Sequence, residues 1–141
     1  MTHDATKVLM GQTRSNVKEV TNFNGSKAAG IALRLKSDGT LSTTLADGVL
    51  IGVSLGKDLS DIGRTAVCRK GLLVPIIVTA AFTPVLGAQV NISDTTGYAA
   101  ASGGGATACN ATYASAKLTG GGQQEDGTFV DIVLIDFPGG L

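Results

Sequence analysis

The stretch that most constrains the fold is residues 49–79, where three apolar segments follow one another. The first segment carries an apolar residue at every second position: Val49, Ile51, Val53 and Leu55. A period of two is typical of a strand with one buried face. A polar loop is predicted to follow it and to end at Gly63. The third segment, residues 72–79, is apolar on both faces. It indicates an interior strand with an edge or a bulge at Pro75, because proline cannot donate to a ladder.

A hairpin is predicted just before this stretch, on either side of the sequence Ser-Asp-Gly. A two-residue turn would place Leu35 opposite a serine and spoil the apolar face. A three-residue loop ending at Gly39 instead places Leu35 opposite Leu41 and Ile31 opposite Leu45, which keeps one face apolar. This second register is the prediction, with Gly39 in the left-handed conformation of a bulge.

The remaining sequence alternates between short strand patterns and Gly-rich turns, with no convincing helix. Further strands are predicted at residues 6–10, 17–23, 88–93, 112–118 and 129–137, with a short strand from Tyr98 and loops at residues 103–105 and 120–126. This pattern predicts an all-β fold, a jelly-roll-like β-sandwich of about 8–10 strands. Residues 30–141 are predicted to form the sandwich domain, and residues 1–29 an N-terminal arm or peripheral strands.

Composition narrows the classes of function. Charged residues make up only 16% of the chain and the formal net charge is zero, whereas globular chains average about 25% charged residues. A neutral chain gives no bulk electrostatic reason to bind nucleic acid or an anionic membrane. A surface poor in charge suits a protein that rests against a partner, and an ordinary small β domain is the alternative that composition leaves open. No signal peptide or membrane span is predicted.

Residues able to do chemistry are few. The only histidine is His3, so a histidine triad or metal cluster is not expected. The glycine runs lack the Gly-Lys-Ser/Thr of a phosphate loop. Cys68 and Cys109 have no metal-ligand spacing, and we expect both to be reduced and packed. No catalytic, cofactor-binding or metal-binding residue is predicted, no cofactor is implied, and the chain is not expected to be an enzyme.

Two groups of carboxylates are the remaining candidates for chemistry. The neighbouring pairs Asp58 with Asp61 and Glu125 with Asp126 lie in polar segments without an aromatic platform for a sugar, so solvated turns are predicted. Asp131 and Asp136 interrupt the apolar strand at residues 129–137. A carboxylate there must face solvent or a partner, or accept hydrogen bonds, and structural satisfaction is the preferred interpretation over a role at an interface.

Four motifs occur in a characteristic order: L-I-G-V-S-L, G-x-x-A-V-C-R-K-G, L-G-A-Q-V-N-I-S-D-T-T-G-Y-A-A and D-G-T-F-V-D-I-V-L-I. Over residues 48–137 the chain resembles the small head-decoration, or cement, proteins of tailed phages, and its length and character are closest to those of short-tailed phages. This family has no catalytic residues to transfer.

The resemblance implies a jelly-roll-like sandwich that is made in the host cytoplasm and sits on the outer surface of the virion. The implied partners are the major capsid protein and the chain itself, as a homo-oligomer in which a dimer is favoured over a trimer. The alternative is a carbohydrate-binding or cell-surface-binding sandwich module. That class usually needs aromatic platforms, and the chain has no tryptophan and two tyrosines.

Overall fold

The structure is a computed structural model that describes residues 8–9, 17–58 and 61–141, with side chains described for residues 19–56 and 63–141. Within these residues, eleven strands form one open hydrogen-bonded network. They are β1 (Val8–Leu9), β2 (Val17–Asn24), β3 (Ala32–Leu35), β4 (Leu41–Ser42), β5 (Val49–Asp58), β6 (Asp61–Ile77), β7 (Gln89–Ser93), β8 (Ala99–Ala100), β9 (Ala106–Tyr113), β10 (Leu118–Gln123) and β11 (Phe129–Phe137). The only helical element of the described residues is a 3-10 turn, Leu45–Asp47.

The main path of the network runs β4-β3-β5-β6-β11-β9-β7-β8, with β2 added beside β6 and with β10 beside β11. The short strand β1 pairs in parallel with β10, whereas the other ladders are antiparallel. The all-β, sandwich-like fold that the sequence predicts is confirmed, and the more specific likeness to a jelly roll stays a prediction. The strand count agrees with the prediction of about 8–10, since three of the eleven strands contain only two residues.

The two ends of the main path meet although no ladder joins them. The Ala32 amide of β3 donates to the Gly97 carbonyl oxygen at 2.8 Å, and the Leu45 amide donates to the Asp94 carbonyl oxygen at 2.9 Å. Gly97 has φ +76°, and a Cβ atom there would collide with the Ala32 carbonyl oxygen. Only glycine tolerates both the left-handed backbone and this close approach. The contacts fold the open network back on itself, as in a sandwich.

Two apolar clusters fill the interior. The larger one joins β3, β5, β6, β7, β9 and β11, and its fully buried members include Val53, Ile76, Ile92 and Phe137. The smaller one contains buried Leu33, Val67, Ile77 and Ile132, with half-buried aromatic and aliphatic side chains around them. Because side chains alternate across a strand, β6 supplies Cys68 to the larger cluster and its neighbour Val67 to the smaller one.

The predicted hairpin is confirmed at its turn. Leu35 pairs with Leu41, and Gly39 has φ +86°. The Lys36 amide donates to the Thr40 carbonyl oxygen at 2.8 Å, which closes a three-residue loop. The predicted pairing of Ile31 with Leu45 is wrong, because β4 ends at Ser42. The Ser42 hydroxyl donates to Asp47 and accepts a hydrogen bond from the Thr44 amide, and these bonds accompany the change of direction into the 3-10 turn.

The prediction that the apolar residues of positions 49–55 all share one face is wrong, because β5 contains a bulge. Leu33 pairs with Gly52 but Arg34 pairs with Leu50, so Ile51 is the extra residue on β5. An extra residue reverses the alternation of side chains beyond it. Ile51 therefore packs against the smaller cluster, whereas Val53 belongs to the larger one.

The second and third apolar segments form one strand, β6, which is 17 residues long. Pro75 pairs with Leu134 of β11 and, among the described residues, has no strand partner on its other side, so it occupies an edge position. The bulge lies earlier: Val74 pairs with Ile135 and Gly71 with Phe137, which leaves two β6 residues opposite one β11 residue.

Two predicted loops are largely strand. The segment between Leu55 and Gly63 contains the end of β5 and the start of β6. Residues 120–123 belong to β10, where Gly122 pairs with Val130. Polar residues and glycines gave no alternating pattern, yet their backbones still form ladders. The strand predicted at residues 112–118 is also wrong, because β9 ends at Tyr113 and β10 begins at Leu118.

Other predicted strands agree with the structure. Strand β11 has the predicted bounds of residues 129–137. Strand β2 covers the predicted residues 17–23, and it pairs with β6. The division of the chain into an arm at residues 1–29 and a domain at residues 30–141 stays a prediction.

Candidate functional site

The carboxylates that interrupt β11 are engaged in local structure. Asp131 accepts a hydrogen bond from the Gly120 amide at 2.8 Å and lies 3.8 Å from the Lys117 ammonium group. Lys117 also donates to the carbonyl oxygens of Ala80 and Phe82. Asp131 therefore connects β11 to β10 and, through Lys117, to the loop after β6, as the structural interpretation predicts.

Asp136 stabilises the bulge of β6. It accepts a hydrogen bond from the Leu73 amide at 2.7 Å. Leu73 is the only non-glycine residue of the described chain with positive φ, at 53°, a conformation that costs roughly 1–2 kcal/mol for an L-residue. The carboxylate provides a partner for an amide that the bulge removes from the ladder. Leu72 and Leu73 are both partly exposed at this point.

The second carboxylate pair that the sequence singled out lies in the turn between β10 and β11. Asp126 accepts a hydrogen bond from the Thr128 amide at 2.9 Å. Hydrogen bonds from the Thr128 backbone and, second, from its side chain lower the pKa of the fully exposed Asp126 carboxyl below its usual value. Glu125 is exposed beside it. His3 and the side chains of Asp58 and Asp61 lie outside the described residues.

The two thiols are buried and unpaired with each other, and burial raises the pKa of Cys68 and of Cys109 to about 11. Burial likewise raises the pKa of Tyr113 to about 12. Its hydroxyl is buried without a full hydrogen bond, although the nearby Asn91 backbone offsets part of the effect. A thiol with a raised pKa is a poor nucleophile at neutral pH, so these groups act as core side chains.

Neither a metal cluster nor a membrane-spanning helix is found in the part of the chain that the structure describes. No group of three or more His, Cys, Asp or Glu side chains in that part could hold a metal ion. No helix of the same residues is long and apolar enough to cross a membrane.

A buried charge network joins the two ends of the strand path. The Arg34 side chain is 1% exposed and lies 3.4 Å from the Asp94 carboxylate, which is 16% exposed. One Arg34 nitrogen donates to the Thr43 carbonyl oxygen at 3.0 Å. Asp94 also accepts a hydrogen bond from the Thr107 hydroxyl at 2.5 Å. We call Arg34, Asp94, Thr43 and Thr107 the arginine clasp, because it connects β3 and the residue after β4 to the turn after β7 and to β9.

A hollow of about 300 Å³ lies against the clasp. Its lining includes Arg34 and the apolar side chains Leu45, Val49, Leu50, Cys109 and Leu141. We call it the apolar groove. The most exposed large apolar side chain on it is Val49, at 75%. The groove therefore presents apolar side chains to solvent, while the charge of Arg34 is already paired.

A second hollow, of about 410 Å³, lies between the segment before β3 and the turn between β10 and β11. Buried Ala29 and Ile77 and half-buried Tyr98 and Val130 supply its apolar lining, and its polar lining includes Lys27, Gln124, Glu125, Asp126 and Thr128. We call it the polar pocket. It brings Tyr98 together with a carboxylate pair that the sequence placed without an aromatic neighbour.

Large apolar side chains are also exposed elsewhere on the described surface. The full set is Val20, Leu45, Val49, Leu72, Leu73, Val85, Leu86 and Phe129. The most exposed after Val49 are Val85 at 69% and Leu86 at 65%, in the loop before β7. Scattered exposed apolar residues are normal. Six of these eight residues occur in pairs, in the groove, at the bulge and in this loop, which is the arrangement expected of contact points.

Sequence reasoning missed the arginine clasp and the polar pocket. Arg34 lies in an alternating strand, where a charged residue is normally taken to face solvent. Its partner Asp94 is sixty residues away. Tyr98 and Glu125 are 27 residues apart, and no local pattern links them. Both arrangements form because the two ends of the main strand path contact each other.

Comparison of the chain with protein-family models, with curated proteins and with solved structures found no match.

Proposed function

We propose that this chain is a capsid decoration, or cement, protein that binds the outside of an assembled phage head and stabilises contacts between major capsid subunits. The observation that carries the proposal is the exposure of large apolar side chains at eight positions of the described surface in a chain with few charges. It supports a protein that buries part of this surface against a partner. The motif order that resembles cement proteins points to the same role.

The proposed action is thermodynamic: binding of the chain is coupled to the assembly of the shell. A protein that binds the assembled shell but not its loose subunits stabilises the shell by mass action. Such binding needs a site that exists only where subunits meet, together with small apolar contacts that repeat around the shell. It requires no catalytic group. The proposed partners are the major capsid protein and a second copy of the chain, with a dimer favoured over a trimer, and the proposed location is the outer surface of the virion.

The test is cosedimentation of the chain with heads assembled from its cognate major capsid protein, compared with its binding to unassembled subunits. Val49→Asp and Leu86→Asp add a charge at two exposed apolar positions, in the groove and in the loop before β7. Ser102→Asp adds the same charge at an exposed polar position and serves as the matched control.

We expect at least one of the two apolar-site variants to lose about tenfold or more in affinity for heads, because a buried unpaired charge is costly. The control should bind as the unchanged chain does. Equal affinity for heads and for free subunits would contradict the proposal. Unchanged head binding by both variants would remove the support that exposed apolar side chains give to it.

A further inference from the structure

The polar pocket carries an inference beyond capsid attachment. Its volume is about 410 Å³, within the range of small-molecule sites. Its two sides are held by hydrogen bonds of backbone and side-chain groups. The Lys27 amide donates to the Thr65 hydroxyl at 2.9 Å, and that hydroxyl donates to the Gly25 carbonyl oxygen at 2.7 Å. The segment before β3 is thereby tied to β6.

The opposite side of the pocket is a closed turn. The Gln124 amide donates to the Thr128 carbonyl oxygen at 2.8 Å, and the Gly127 amide donates to the Gln124 carbonyl oxygen at 3.0 Å. The side-chain amide of Gln124 reaches across and donates to the Ala29 carbonyl oxygen at 3.3 Å. This bond fixes the distance between the two sides. The pocket is therefore preformed, which lowers the entropy cost of binding.

The lining chemistry has two parts. The buried part is apolar, with Ala29 and Ile77 beside the half-buried ring of Tyr98. The rest of the lining mixes hydrogen-bond donors with acceptors: half-buried Lys27 donates, exposed Glu125 and Asp126 accept, and the Thr128 hydroxyl, which donates to Asp126, can also accept. A ligand that fits both parts needs one apolar face and several groups that donate and accept.

We propose that the polar pocket binds a neutral sugar ring. A pyranose presents C–H groups on its faces, suited to the Tyr98 ring and the apolar lining, and hydroxyl groups around its edge, each of which donates and accepts. A cationic ligand would gain from Glu125 and Asp126 but would be opposed by Lys27. An anionic ligand would gain from Lys27 but would be opposed by both carboxylates. Because Glu125 and Asp126 are exposed, solvent and salt screen their charges, and hydrogen bonding favours a neutral, hydroxyl-rich ligand.

The test is a titration of the full chain, followed by amide chemical shifts in NMR spectra. The probes are the methyl glycosides of glucose, mannose, galactose and N-acetylglucosamine, with glycerol as a non-specific polyol and butylamine as a cation. We expect at least one glycoside to shift the amides of Ala29, Tyr98 and the turn at residues 124–128. The expected dissociation constant is on the order of 1–10 mM, as suits a small neutral ligand.

Variants locate the site. Glu125→Gln removes a charge from an exposed side chain and should weaken glycoside binding about fivefold. Tyr98→Ala should weaken it about tenfold. Glu19→Gln, the same change on β2 outside the pocket, should leave it unchanged. If Tyr98→Ala fails to fold, the glycoside affinities of Glu125→Gln and Glu19→Gln are compared instead, and weaker binding by Glu125→Gln alone places the sugar in the pocket.

Three results would overturn the proposal: no glycoside moves the pocket amides, butylamine moves them while the glycosides do not, or both pocket variants bind as the unchanged chain does. Head attachment is measured separately by sedimentation. Failure of sugar binding therefore leaves the cement proposal standing, and the reverse also holds.

Discussion

The apolar groove and the polar pocket differ in whether their charged side chains are buried and paired or exposed to solvent. At the groove, Arg34 is buried and paired with Asp94 inside the arginine clasp, so the surface offered to solvent is apolar. At the pocket, Glu125 and Asp126 are exposed at the edge, and the buried part of the lining is apolar. A buried charge must be paired and hydrogen-bonded, which makes the clasp a part of the fold. An exposed charge beside a preformed hollow stays available to a ligand.

This difference separates two kinds of surface on one small domain. The groove is suited to contact with another protein, because apolar side chains such as Val49 gain by being covered. The pocket is suited to a small polar ligand. Substitutions at the clasp should therefore change stability, whereas substitutions of the charged side chains at the pocket should change binding and leave stability nearly unaltered.

The largest expected effect of a single substitution is that of Arg34→Leu. Removing one partner of a buried ion pair costs roughly 3–5 kcal/mol, and because Asp94 keeps some exposure we expect a loss near the lower end. Lys27→Leu is the matched change at the polar pocket, where the charge is not enclosed, and should cost less than about 0.5 kcal/mol. Urea unfolding of the two variants measures both. Similar losses of stability in the two variants would show that the buried ion pair of the clasp contributes no more than an unenclosed charge.

A second effect concerns alkaline pH. Burial raises the pKa of Cys68 and Cys109 from 9.0 to about 11. The protonated thiols are therefore favoured in the folded state, and this contribution is fully present below pH 9 and lost as pH rises through about 11. The pKa of Tyr113, raised from 10.0 to about 12, extends the loss to higher pH.

Each unit of pKa shift corresponds to about 1.4 kcal/mol, so we expect a loss of roughly 2–3 kcal/mol per thiol across this range. The free energy of unfolding, measured by urea at several pH values, should fall steeply above pH 9. The Cys68→Ala, Cys109→Ala double variant should show a shallower decline between pH 9 and 11. If the free energy of unfolding fell equally in the double variant and in the unchanged chain, groups other than the two thiols would cause the pH dependence.

The next effect tests the hairpin that carries Arg34. Gly39 has φ +86°, and a β-branched residue resists that conformation. Gly39→Val should cost roughly 1–2 kcal/mol, although open space surrounds the position. Gly63→Val is a matched control, because Gly63 also has open space around it but its φ lies outside the left-handed range. Equal thermal unfolding of the two variants would count against a purely conformational cost.

The smallest expected change in stability belongs to the polar pocket. Glu125→Gln alters an exposed side chain, and surface changes away from special features stay within about 0.5 kcal/mol. Thermal unfolding should be unchanged while glycoside binding weakens. A clear loss of stability would mean that Glu125 supports the turn, and the contrast between the two hollows would then fail.

What the sequence predicted well is local. The turn at Gly39 and the bounds of β11 follow from the chemistry of a few neighbouring residues, and an apolar face selects the register of a hairpin. Asp131 and Asp136 were recognised as needing hydrogen-bond partners because each interrupts an apolar strand. Their partners, the amides of Gly120 and Leu73, were not predictable, because they depend on the details of pairing.

What the sequence missed depends on long-range pairing. The bulges at Ile51 and at Leu72–Leu73 change which face a side chain occupies, and no local pattern marks an extra residue. The Gly-rich strand β10 has too few side chains to alternate. The clasp and the polar pocket join residues that are distant in sequence, so both become visible only when the strand path returns on itself.

The central claim is that the chain recognises an assembled shell. The most direct measurement is a titration of bare cognate heads with the chain, followed by sedimentation of bound protein and by the thermal survival of the heads. The account predicts saturation at a fixed ratio set by the symmetry of the shell, together with a higher temperature of head disruption. Binding that does not saturate, or saturation that leaves head survival unchanged, would contradict it.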